Sequence, residues 1–93
     1  MEIFVFKDTV SDKYFCVNTY DITFYSVEEM ETKGFKPRMK YSLDEAKHFV
    51  KWILDCMLSD DILPIRPNFY YGIDKENYNI VYVKLGEIKN DWN

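Results

Sequence analysis

YSVEEM, Tyr25 to Met30, returns sixteen positions later as YSLDEA, Tyr41 to Ala46. In each copy a serine is followed three residues on by a glutamate: Ser26 with Glu29, and Ser42 with Glu45. That spacing is a capping box, in which the serine oxygen accepts the N3 amide and the glutamate reaches back to the N-cap amide. The acids in each first turn also suit the positive end of a helix dipole. The repeat therefore predicts two helix starts rather than two copies of a functional element. Gly34 stops the first helix as a C′ residue does, and Tyr25 is placed to staple onto Met30. The second helix runs from Leu43 to about Leu58, roughly 24 Å at 1.5 Å per residue. Ala46, Phe49, Val50, Ile53, Leu54 and Met57 fall on one side of it, with Asp44, Lys47, His48, Lys51 and Asp55 on the other. Trp52 lies at the boundary, nearer the polar side.

The flanking segments read as strands. Glu2 to Asp8 holds Ile3, Phe4, Val5 and Phe6, apolar on both sides and rich in β-formers. Ser11 and Asp12 supply turn chemistry before a second strand, Tyr14 to Tyr20. Ile22 to Tyr25 is a short third extended run. Pro64 and Pro67 keep Ile62 to Pro67 extended and out of any central strand. Phe69 to Ile73 and Tyr78 to Leu85 read as a second hairpin across Asp74 to Asn77. The expectation is an α+β fold in a single domain, residues 1–93. It has an antiparallel four- to five-stranded sheet (two hairpins), one long amphipathic helix on one face and a short preceding helix.

That architecture carries a surplus of rings. Aromatic residues make up 18% of the chain, and one long helix covers one face of a sheet. The aliphatic side of the last strand, with Val81, Val83 and Leu85, is expected beneath the helix. The sides bearing Tyr14, Tyr20 and Tyr82 are expected to stay bare. An exposed tyrosine face is ordinary in antiparallel sheets, since the hydroxyl stays wet. It is also what a protein interface concentrates. The candidate protein-binding residues are therefore Tyr14, Tyr20, Tyr82 and Trp52. The acidic surface of Glu28, Glu29, Glu31, Asp60 and Asp61 joins them, with another protein or a second copy as partner.

Composition narrows the function classes. Lys and Arg number 12 against 16 Asp and Glu, a net charge of −4, which argues against whole-surface attraction to phosphate backbones. Cys16 and Cys56 have neither zinc-site nor redox-pair spacing and read as buried thiols. MEIFVFKD carries an acid where a signal peptide needs a positive charge, and no run approaches a membrane span, so a cytoplasmic protein is expected. His48, the one histidine, sits on the outer helix face without an orienting partner in its own helix. No metal-ligand spacing and no Gly-rich phosphate cradle occurs, so no cofactor and no enzymatic activity is expected. A small, compact, acidic protein of this kind fits an inhibitor of phage or mobile-element type, docking on a host protein that itself binds nucleic acid.

KGFKPRMKY, Lys33 to Tyr41, is the one basic stretch. Lys33, Lys36, Arg38 and Lys40 alternate with Phe35, Met39 and Tyr41. Cations for phosphates and rings for bases are what a single-stranded nucleic-acid site uses. Acids flank the stretch on both sides, so a solvated interhelix connection is the plainer reading. A small enzyme or ligand-binding domain would need a pocket near Cys16, His48 or Trp52.

Overall fold

A computed structural model describes residues 2–16, 22–58, 70–74 and 76–87. The strands are β1 (Phe4–Asp8), β2 (Lys13–Cys16), β3 (Ile22–Tyr25), β4 (Tyr70–Tyr71) and β5 (Ile80–Lys84). The helices are α1 (Val27–Lys33) and α2 (Leu43–Leu58). The fold is α+β: one sheet in the order β4-β3-β2-β1-β5, in which four strands pair antiparallel and β4 runs parallel to β3.

Both helix starts form as their serines predict. Ser26 Oγ accepts the Glu29 amide at 3.1 Å, and Glu29 Oε1 accepts the Ser26 amide at 3.1 Å. Gly34 closes α1 at φ 72°, donating its amide to the Met30 carbonyl. At α2, Ser42 Oγ accepts the Glu45 amide at 3.2 Å. Glu45 reaches one residue further back than a strict box, accepting the Tyr41 amide at 3.3 Å.

The expected hairpin of Phe69 to Ile73 with Tyr78 to Leu85 does not form. Its two halves take opposite edges of the sheet, β4 beside β3 and β5 beside β1. Two local contacts explain this. The Asn79 amide donates to Asp8 Oδ1 at 2.7 Å, and the Thr9 amide donates to the Asn79 carbonyl at 2.9 Å. These bonds fix the start of β5 against the end of β1. At the other edge, Gly72 (φ 95°) lies so close to β3 that a Cβ there would collide with the Phe24 carbonyl oxygen.

The helix also takes the opposite side of the last strand from the one expected. Under α2 lie Phe4, Phe6, Phe15, Phe24 and Ile80, packed with Ala46, Ile53, Cys56 and Met57. Val5, Tyr14, Cys16 and Leu85 form a second cluster on the other face, closed by Met30 of α1 and by Met39. Val83 packs there too, not beneath α2. The register explains the choice. Phe15 opposes Phe24 across β2 and β3, and Phe6 opposes Tyr82 across β1 and β5, so the rings share one face. The Phe15 and Phe24 rings meet edge to face at 5.7 Å.

The connection between the helices runs through the sheet. β1 and β2 pair at Lys7↔Tyr14 and Asp8↔Lys13. Toward the other end, residues 37–40 lie between the two strands, bridging Phe4↔Lys40 and Cys16↔Pro37. Phe4 and Lys40 exchange backbone hydrogen bonds of 2.8 and 3.0 Å, and the Arg38 amide donates to the Phe15 carbonyl at 2.9 Å. The chain thus passes from the α1 face to the α2 face through a gap in its own sheet. The stretch expected to be a solvated connection is part of the ladder.

Candidate interaction surfaces

Closing both faces redistributes the residues expected to form one site. Tyr14 is 5% exposed, so the bare tyrosine face is absent at this position. Lys7 Nζ sits 5.6 Å from the Tyr14 ring centroid, and the chain itself covers the side expected to seek a partner. Tyr20, Asp60 and Asp61 lie outside the described residues, as do Val17 to Thr19 of the expected second strand and Ile62 to Pro67. Tyr82 and Trp52 are exposed at 38% and 46%. Each packs against a ring of the α2 side: Tyr82 edge to face with Phe4 at 5.8 Å, and Trp52 stacked on Phe49 at 5.3 Å.

The described acids of the group, on α1, are on the opposite face. Glu28 and Glu31 are exposed on α1, whose Met30 belongs to the Val5 cluster. Glu29 is committed to the cap. The hydrogen bonds from Ser26 hold its carboxyl below the usual range, and Lys13 Nζ approaches it at 3.8 Å. Of the described residues of the expected protein site, the exposed Tyr82 and Trp52 thus lie on the other side of the sheet from Glu28 and Glu31.

The basic stretch is also divided. Lys33 lies over the Tyr25 ring at 5.6 Å, and Phe35 packs on the same ring at 5.3 Å, beside α1. Lys36 and Tyr41 are exposed. Arg38 and Lys40 reach the other face, at 6.0 and 5.0 Å from the Phe49 ring centroid, while Met39 packs into the Val5 cluster. This is the side-chain alternation of a strand, imposed by the bridges on either side.

Cys16 and Cys56 are both buried thiols. Burial pushes the Cys16 thiol up to about 12, so it stays protonated at neutral pH. Its Sγ donates to the Tyr14 carbonyl at 3.5 Å. Burial raises Cys56 as well, with the Asp55 carboxylate adding to it. His48 is exposed, its Nδ1 at 2.7 Å from the Asp44 carbonyl oxygen of its own helix. Among the described residues no group of three His, Cys, Asp or Glu side chains is arranged to hold a metal ion. Among the same residues no helix is long and apolar enough to cross a membrane.

One polar cluster escaped the reading of the sequence. Asp8 is fully buried. Its carboxylate accepts the Ser11 amide at 2.9 Å, the Ser11 hydroxyl at 2.6 Å and the Asn79 amide at 2.7 Å. The signal in the sequence was a lone acid ending an apolar strand three residues before a serine. The Asn79 partner, distant in sequence, had none.

β5 is one edge of the sheet. The Leu85 amide donates to the Ile3 carbonyl at 2.7 Å and the Thr9 amide to the Asn79 carbonyl at 2.9 Å. By antiparallel alternation, Val81 and Val83 also bond to β1, so the N–H and C=O groups of Ile80, Tyr82 and Lys84 point outward. Among the described residues no strand lies beyond them. The chain matches no protein-family model, no curated protein and no solved structure.

Proposed function

We propose that this is a non-enzymatic protein-binding protein that takes its partner as an added strand along the outer edge of β5, with Tyr82 as the side-chain anchor. The outward amides and carbonyls of Ile80, Tyr82 and Lys84 carry the reading. Strand addition draws affinity from main-chain bonds and specificity from alternate side chains. Natural edges are usually blunted by proline, bulges or charge. IVYVK has neither proline nor bulge, and its one charge, Lys84, is paired with Glu2 at 3.0 Å. Tyrosine is a preferred interface anchor. Glu28 and Glu31 give the opposite face an acidic surface. With the net charge of −4, this fits an inhibitor of the phage or mobile-element type.

Affinity capture from host lysate at moderate salt tests the reading with three variants. Lys84→Pro removes one outward amide and leaves the β1 ladder intact; Tyr82→Ala removes the anchor; Lys47→Gln/Lys51→Gln, exposed on the outer side of α2, is the control. The expected result is a specific partner held by the parent chain and the control and lost by both edge variants. A second copy as partner shows as a dimer mass that Lys84→Pro abolishes. Capture that both edge variants retain contradicts the proposal.

A further inference from the structure

The threaded segment sets two cations over Phe49, the ring on which the exposed indole of Trp52 stacks, on ground the β5 edge does not use. Phe49 is fixed by the core, 4.6 Å from Phe6 and 5.4 Å from Phe15. Trp52 stacks on Phe49 with 28° between the ring planes and remains 46% exposed. Its orientation is therefore set in advance while much of its surface meets solvent. Lys40 and Arg38 flank the same Phe49 ring. Among the described residues neither is ion-paired with a carboxylate. Ladder bonds on both sides hold their backbones, so little ordering is left to be done on binding.

We propose that Arg38, Lys40, Phe49 and Trp52 form a site for a short stretch of single-stranded nucleic acid. A base stacks on Trp52 and the adjoining phosphates meet Arg38 and Lys40. The occupant follows from the pairing of chemistries. A flat ring and a regularly spaced anion recur together along a nucleotide chain, and stacking on an aromatic platform is tolerant of sequence. An acidic polypeptide satisfies the cations but makes no particular use of a pre-oriented indole. The net charge of −4 limits the contact to this patch, so binding is weak at physiological salt. The site does not depend on the protein-binding edge, because Trp52 is on α2 and the free amides are on β5.

Fluorescence anisotropy of a labelled oligodeoxythymidine of about eight nucleotides, titrated between about 20 and 200 mM salt, tests this. Two phosphate contacts predict a slope of about −1.4 for log affinity against log salt. Trp52→Leu, which keeps apolar cover over Phe49, is expected to weaken binding at least about fivefold with the slope unchanged, and Trp52→Tyr to restore most of the affinity. Arg38→Gln/Lys40→Gln flattens the slope toward zero. Lys47→Gln/Lys51→Gln, exposed on the outer side of α2, changes neither. Three results overturn the proposal: no binding at the lowest salt, an equal loss in the Lys47/Lys51 control, or poly-glutamate binding as tight as the oligonucleotide and indifferent to Trp52.

Discussion

The carboxylate of Asp8 holds the turn after β1 and the start of β5 together, through the Ser11 and Asn79 amides and the Ser11 hydroxyl. Burial alone would raise its protonation range, but the accepted hydrogen bonds from Asn79 and Ser11 outweigh it and hold the group below the usual value. A lowered folded value means that stability is fully present above the unfolded range, near pH 4, and is lost as pH falls through the folded value. Urea unfolding from pH 6 to pH 3 should therefore show a steeper loss in the parent chain than in Asp8→Asn; parallel curves contradict this. Asp8→Ala strands the Ser11 and Asn79 donors and should cost roughly 2–3 kcal/mol at neutral pH. The two thiols make a separate prediction. With Cys16 raised to about 12 and Cys56 also raised by burial, a thiol reagent at neutral pH should modify neither until the chain is unfolded. Rapid labelling of either in the native state would be the contrary result.

Helices were legible because their signals are local. Ser26, Glu29 and Gly34 act within one or two turns, and each does in the structure what its spacing implies. Ser26→Ala should accordingly cost about 1 kcal/mol. Strand partners are not written locally. The chain bends on either side of Asp74, whose Oδ1 accepts the Glu76 amide at 2.9 Å. Asn79 nevertheless delivers the following strand to β1, and Gly72 pins the preceding one to β3. The glycines separate these roles. A Cβ at Gly34 meets nothing within 4 Å, whereas at Gly72 it meets the Phe24 backbone. Thermal unfolding should find Gly34→Ala destabilised by about 1 kcal/mol, the ordinary cost of a left-handed residue. Gly72→Ala should lose at least about 3 kcal/mol, because the β3–β4 pairing must open. Equal losses would show that β4 does not sit where it is described.

Period-two alternation told which residues share a face, but not which face the long helix would choose. β1 is apolar on both sides, so its sequence permits either. The decision rests on rings stacking across strands: Phe15 on Phe24, and Phe4 on Tyr82. Nor did the sequence disclose that KPRMK completes the sheet, because Pro37 and three cations read as solvent-loving. Bridged by Phe4 and Cys16, they instead carry the chain through the sheet, with Met39 on one side and Arg38 and Lys40 on the other. That passage packs Met39 into the cluster that buries Tyr14, and among the described residues the β5 edge and the Trp52 patch are the surfaces proposed for partners. Tyr82 and Trp52 were legible as exposed rings; the edge amides, set by long-range register, were not.

Native-state amide hydrogen exchange in dilute solution tests the passage and the edge together. The amides of Phe4, Arg38 and Lys40 should be protected along with Val81 and Val83, while those of Ile80, Tyr82 and Lys84 exchange quickly. Fast exchange at Arg38 and Lys40 would place the connection outside the sheet, and slow exchange at Tyr82 and Lys84 would show the edge already covered.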